Sequence, residues 1–330
     1  MNYLKQIIND FYFSFLRFNL FFLSIFTISI KKSFHFVIIL INVEWCKVMD
    51  PMVFLWSLLG PVISLILAFP ITVIWKDNSL VDLGWALGFM SMGWISFIYN
   101  GIVSGNWSSI RQIVIISLVT VWGIRLMTYI IVRKIIRKDE DIRFKGFRED
   151  WKKNFYLKSF LIIFVPQMFL IYIIGSPVVF ANSITDNNPI STLGIILLVI
   201  GGLIWLEGFF FETSGDIQLM IFRKNPANKG KTLSTGVWKY SRHPNYWGEQ
   251  EQWWGIFVIA ISLAFDYYSI SNMISGWLTI LGPILLTFQL LKISGVTKLE
   301  KEVLSVRIGY KEYVETTSAF IPWFPKKKKS

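Results

Sequence analysis

An all-helical bundle of about seven to eight membrane-spanning segments is the fold class this sequence predicts, and three observations carry that expectation. The chain is 54% hydrophobic and 17% aromatic but only 16% charged, with a mean hydropathy of +0.52. A water-soluble domain carries about a quarter charged residues. Apolar runs at 11–30, 51–75, 82–100, 112–132, 159–180, 190–211, 252–265 and 274–293 mostly reach the roughly 20 residues that cross about 30 Å of hydrocarbon as helix. Finally, residues 133–158 hold ten Lys and Arg, whereas 181–189 and 266–273 hold none.

The elements follow in order. Residues 1–50 form a hydrophobic extension in which Lys5, Arg17, Lys31 and Lys32 sit among dense Phe, Ile and Leu. No small-residue cleavage site of the signal-peptide kind is present, so the stretch reads as a first anchor, with Met49 a second plausible start. Residues 51–325 form the transmembrane domain and 326–330 a polybasic tail. The positive-inside rule places 133–158 in the cytosol, and alternation puts the basic stretches 212–251 and 294–330 on the same side. Among the spans, 252–265 is the weakest, being short, interrupted by Gly255 and preceded by charges. No repeat and no Pro/Ser linker marks a separate soluble domain. A small cytosolic cap is expected from the two basic loops and the tail.

Charge and composition also exclude functions. The net charge of +12 is accounted for by topology, and nucleic-acid binding would need a soluble basic face that the pattern lacks. A single cysteine, Cys46, forbids a disulfide within the chain. With only His35 and His243 available, a zinc or di-iron centre built on histidine is not expected, and no metal site is assigned.

Polar residues concentrate after the 190–211 run. Glu207, Glu212, Asp216 and Gln218 recur at roughly helical intervals, followed by Arg223 and Lys224. That pattern offers acceptors for ribose hydroxyls or an amide and cations for phosphates; it equally fits a helix end solvated at the interface. The stretch Ser234-Thr-Gly-Val-Trp-Lys-Tyr-Ser-Arg-His-Pro-Asn-Tyr-Trp-Gly-Glu249 then sets Arg242, His243, Asn245, Tyr246 and Glu249 beside hydrophobic segments. Polar groups near lipid are costly and mark functional sites by default. Pro244 fixes the backbone for a helix start, whose free amides and dipole suit a phosphate, with the Arg242 guanidinium beside it. Glu249 falls one turn inside that helix on the face of Asn245.

These residues, with Trp253-Trp254-Gly255 after them and Asp216-Ile-Gln218 before, resemble the steroid 5-alpha-reductase-like membrane proteins, whose domain was long described as one of unknown function. The match extends through Val81-Asp-Leu-Gly-Trp85, Trp122-Gly-Ile-Arg-Leu126, Asp141-Ile-Arg143, Gln167, Ser294-Gly-Val296, Leu299-Glu300, Tyr310, Tyr313 and Thr317-Ser-Ala-Phe-Ile-Pro322, over about residues 55–325. The resemblance implies a helical bundle that binds NADPH from the cytosolic side and reduces a carbon–carbon double bond conjugated to a carbonyl in a steroid or other lipid. Asp216, Arg223, Arg242, His243, Asn245, Tyr246 and Glu249 are then the expected cofactor-binding residues. Glu212 stands where a reductase has Asn. The catalytic candidates are Tyr129, as acid, and Asp82. Sterol, polyprenol, fatty enoyl and other enone lipids all remain open as substrates.

Two other classes fit parts of the pattern. Membrane methyltransferases of the isoprenylcysteine or phospholipid type, which use S-adenosylmethionine, share Arg-His-Pro and a C-terminal pattern resembling Glu300, Glu302, Tyr313 and Pro322. A non-enzymatic membrane protein that kept the fold is the third. Lys327 and Lys328 occupy the dilysine retrieval positions, which in a eukaryotic cell would place the protein in the endoplasmic reticulum with a cytosolic C-terminus; the same lysine run equally fits a polybasic end that rests on anionic headgroups. A tag inserted near residue 145 is expected to be cleaved by cytosolic protease and one near 185 protected; the opposite pattern would invert the topology.

Overall fold

A computed structural model describes residues 49–107, 109–137, 151, 154–185, 189–293, 300 and 308–327. The expected N-terminal anchor with His35 and Cys46, most of the 133–158 cap and the last three tail residues lie outside the described residues. The chain is all-helical: among the described residues the only β pairings are isolated bridges, Met49 with Ile184 and Lys231 with Ile308. Lipid dictates this, because helices satisfy every backbone polar group within the segment.

Helices α1 (Met52–Ser57) and α2 (Leu59–Ile74) make one apolar stretch. Asp77 then caps the 3-10 turn Asn78–Leu80, accepting from the Ser79 amide at 2.9 Å, and also pairs with Lys134. Helix α3 (Val81–Ser104) ends at Gly105, whose φ of 67° is the left-handed geometry of a helix stop. Helix α4 (Ile110–Arg137) returns. Helix α5 (Phe155–Ser159), a π turn at Phe160–Phe164, α6 (Val165–Ile174) and α7 (Ser176–Ser183) form the next crossing. The expected 159–180 span is therefore segmented, with a break at Gly175 ahead of Pro177. Helix α8 (Thr192–Lys224) and helix α9 (Pro244–Asp266) follow, then α10 (Ile270–Leu278) with α11 (Leu281–Phe288), and finally α12 (Tyr310–Thr316). Among the described residues, six helical stretches are long and apolar enough to cross a membrane, consistent with a multi-pass membrane protein.

Two expectations about α8 and α9 are corrected. Residues 212–224 are not a loop after the 190–211 span: α8 runs unbroken for 33 residues, about 50 Å, so its last turns reach past the hydrocarbon. The weak 252–265 span is the inner part of α9, which is 23 residues long but does not belong to the six apolar stretches. Its modest apolarity has a physical reason. Trp253, Ile256, Ile259, Ala260, Leu263 and Ala264 are all buried, so α9 is enclosed by protein and needs no lipid-facing surface.

Helices α8 and α9 meet through glycine. Gly201, Gly208 and Gly215 on α8 and Gly248 and Gly255 on α9 recur every seven residues, two turns, and so line one face of each helix. A Cβ on Gly208 would lie 2.6 Å from the Gly248 carbonyl oxygen, and one on Gly201 would lie 2.6 Å from that of Gly255. Lipid tails are as apolar as side chains, so membrane helices gain from close backbone packing rather than from escaping water. At the far end of the pair, Arg111 of α4 bonds Asp266 at 2.5 Å and Ser262 at 3.3 Å, while Ser191 ahead of α8 also donates to Asp266. Phe89, Trp122 and Trp253 fill the space between α3, α4 and α9 with ring centroids 4.3 to 5.5 Å apart.

The seam can be tested with one helix as its own control. Gly208→Ala forces a methyl onto backbone and should cost about 1–3 kcal/mol or more. Gly202, one face away, meets nothing within 4 Å, and Gly202→Ala should be neutral or add about 0.5–1 kcal/mol. Thermal unfolding in detergent reads both; equal midpoints would refute the seam.

Candidate functional site

Arg125 lies in the apolar middle of α4, where an unpaired guanidinium would be costly. Its partners come from α8. One terminal nitrogen donates to Glu212 Oε1 at 2.7 Å, and the other to the Glu212 carbonyl at 2.8 Å and to Asp216 Oδ2 at 2.6 Å. Glu212 and Asp216 stand four residues apart on one helix face and are 3% and 4% exposed, which rules out the solvated helix end as an account of them. Helix α9 completes the cluster. Gln252 donates to Glu212 Oε2 at 2.6 Å, and Asn245 donates to Asp216 Oδ1 at 3.1 Å.

One turn beyond Arg125, the Tyr129 ring lies between two cations, 5.6 Å from the Arg125 guanidinium and 5.7 Å from that of Arg133. Its hydroxyl is within electrostatic reach of Asp216 and Arg223. Asp82, at the start of α3, sits 3.6 Å from Arg133. Glu249 faces Glu212, Asp216, Asp82 and Arg125 electrostatically, and it accepts no hydrogen bond among the described residues. The expected residues Tyr129, Asp82, Asp216, Arg223, Asn245 and Glu249 thus gather at one end of the α4, α8 and α9 group.

Arg242 and His243 belong to a second node. Arg242 holds Glu300 with two bonds, 2.7 and 3.0 Å, and gives its remaining terminal nitrogen to the carbonyls of Val314 (2.9 Å) and Thr317 (2.6 Å). Its guanidinium is therefore taken up by protein acceptors, a different set of partners from the phosphate expected from the sequence. His243 Nε2 lies 3.3 Å from Glu300 Oε1, and its ring stacks on Tyr246 with centroids 5.5 Å apart. The C-terminal segment is strapped over this loop. The Arg242 amide donates to Ser318, Ser241 Oγ to Phe320, the Trp323 amide to Tyr240, and the Tyr313 hydroxyl to Trp238. From the other side, Gln218 accepts from the Val237 amide and the Trp238 indole donates to the Gly215 carbonyl. The start of α9 is tucked against α8: a Cβ on Gly215 would come within 3.1 Å of the Asn245 amide nitrogen. That amide is covered rather than open.

Sequence reasoning missed Arg125, Arg133 and Gln252 as members of the cluster and left Glu212 as a mismatch. A signal existed for Arg125, a full charge inside an apolar run. None existed for Gln252, whose role depends on the register of α9 against α8.

With the geometry in place, comparison with known proteins gives a family. The model of the family described as "Protein of unknown function (DUF1295)" matches residues 68–317. The chain belongs to that family. The Arg125 cluster and the Arg242–Glu300 pair with its Val314 and Thr317 acceptors fall inside the matched residues, and the strap residues Ser318, Phe320 and Trp323 lie just beyond them. A 55-residue stretch is 40% identical to "Probable O-methyltransferase ustE" of Ustilaginoidea virens, covering 17% of this chain and 19% of that protein, so the match spans about a fifth of that relative's length. "Uncharacterized protein C594.04c" of Schizosaccharomyces pombe is 26% identical over 291 residues, 79% of each chain. No solved structure matches.

The strap carries a pH dependence. Burial pushes the Glu300 carboxyl up, but hydrogen bonds from His243 and Arg242 and the guanidinium charge outweigh it and hold the group below its ordinary value. A lowered folded value means the clasp contributes fully above the unfolded value, about 4.3, and is lost as pH falls through the folded one. Protection of the Arg242 and Trp323 amides against hydrogen exchange, taken relative to the intrinsic rate at each pH, should fall on acidification through that window. Glu300→Gln should exchange faster already at neutral pH and lose the acid step; an unchanged acid step in that variant would refute the assignment.

Proposed function

We propose that this DUF1295 protein is an NADPH-dependent membrane reductase of a carbon–carbon double bond conjugated to a carbonyl in a steroid or other lipid. The observation that carries the reading is the convergence of Tyr129, flanked by two guanidinium groups, with Asn245 and the unpartnered acceptor Glu249 on one buried cluster where α8 leaves the hydrocarbon. The residues fit the cofactor in kind. Glu249 and Asn245 offer an acceptor and amide for the nicotinamide carboxamide, while Arg223 and Lys224 at the end of α8 supply cations for phosphates. Arg125 and Arg242 are neutralised by protein and are left out of the phosphate set.

When bound, NADPH supplies the hydride, delivered to the carbon beta to the carbonyl. The protein's part is position, dryness and charge. As negative charge builds on the carbonyl oxygen, the Tyr129 phenol donates to it, and the Arg133 guanidinium beside its ring adds positive charge there. Glu212 and Asp216 fix Arg125, which in turn holds the tyrosine ring. Asp82 does the same for Arg133. Residence in the endoplasmic reticulum is supported by Lys327 and Lys328 where the source is eukaryotic.

A second reading, an S-adenosylmethionine-dependent methyltransferase, has its own support. Arg242, His243, Glu300 and Tyr313, which the methyltransferase pattern shares, meet in space, and the short match to a probable O-methyltransferase points the same way. Titration of tryptophan emission in nanodiscs separates the readings. NADPH should bind, and Asn245→Ala and Glu249→Ala should each weaken it about thirty-fold to several thousand-fold, the effect of losing a buried charged hydrogen bond. Tyr129→Phe should keep NADPH affinity and lose lipid reduction. Binding of S-adenosylmethionine without NADPH would transfer the assignment to the second reading, and binding of neither would leave a membrane protein that kept only the fold.

A further inference from the structure

The C-terminal strap ends in an apolar patch that the bundle does not cover. Ile321 is 58%, Trp323 68% and Phe324 76% exposed, and these residues sit past α12, beyond the helices whose apolar faces the hydrocarbon accounts for. Pro322 and Pro325 bracket the Trp323-Phe324 pair and fix the backbone φ on either side of it. Tyr240 packs edge-on to Phe324 at 6.1 Å, with the Lys239 ammonium 5.9 Å from its own ring. Lys326 and Lys327 follow the aromatics and Lys328 and Lys329 continue the run in sequence, while the acidic residues nearest in the chain, Glu312 and Glu315, stand on α12, whose Thr316 carbonyl accepts from the Lys326 amide at 2.8 Å.

We propose that this patch is a membrane-surface contact, in which Trp323 and Phe324 enter the interface of the leaflet at the same end of the bundle and the lysines engage its anionic headgroups. Tryptophan and neighbouring aromatics favour that depth, and a polybasic segment beside them gains from anionic lipid. The contact reaches the candidate site mechanically. The Trp323 amide holds Tyr240 at 2.9 Å and the Arg242 amide holds Ser318 at 2.9 Å, so seating the strap on lipid steadies the loop that starts α9. Anionic lipid is thereby a regulator of the site, whichever chemistry the site performs.

The test uses the full chain in nanodiscs, with an environment-sensitive dye attached at Phe324→Cys in a Cys46→Ser background. Raising phosphatidylserine in phosphatidylcholine should shift the dye emission to shorter wavelength and increase quenching by nitroxide lipid. Lys326→Ser with Lys327→Ser should remove at least half of that response while leaving the thermal midpoint unchanged. In the unlabelled protein, phosphatidylserine should slow hydrogen exchange at the Arg242 amide. A dye that reports water in every lipid mixture, or one that reports lipid without any dependence on phosphatidylserine, would overturn the proposal and leave the lysine run to a protein reader of the dilysine kind.

Discussion

Everything at the candidate site depends on how closely α8 and α9 approach. Glycine on both faces lets the backbones touch at Gly208 with Gly248 and at Gly201 with Gly255. The register sets Gln252 against Glu212 and Asn245 against Asp216. A methyl group on the seam would separate the helices by more than a hydrogen bond tolerates. The polar cluster is thus held by apolar packing, and its precision is inherited from residues without side chains.

Helix α4 is attached to that pair by arginine at two levels. Arg111 and Arg125 are 14 residues apart, about 21 Å along the axis and nearly four turns, so both face the same way. The first binds Asp266 at one end of α9, and the second binds Glu212 and Asp216 on α8 at the other. Buried ion pairs are poor sources of net stability, because desolvation offsets most of the attraction. They are strict about geometry, however, since any displacement leaves a bare charge in a low dielectric. Two such pairs across one helix fix both its rotation and its depth. Tyr129 inherits its place from the second.

The fold was legible because hydrophobic run length is a direct consequence of bilayer thickness, and the runs from 51 onward correspond to helices. Ends and interruptions were less so. The continuation of α8 to Lys224 was hidden because Glu212 and Asp216 look like residues seeking water, and only their partners on α4 and α9 make a helical, buried position affordable. The break at Gly175 and the π turn at Phe160–Phe164 have no signature in apolarity. At the site, the residue types near Glu249 pointed to the right region, but not to its division. Arg242 and Asn245 are three positions apart in the chain, yet one is bound to the C-terminal segment and the other to α8, because Pro244 starts a helix between them.

The Arg242 clasp also orders events during synthesis. Its acceptors, Glu300, Val314 and Thr317, lie 58, 72 and 75 residues further along the chain, and Ser241 waits for Phe320. Helices α4, α8 and α9 can insert and pair while the ribosome still holds the segment that fastens their loop. The partners of the charged cluster within the bundle are therefore all synthesised before the partners of the strap. A message cut short after α11 would give an inserted bundle whose signature loop has nothing to bind.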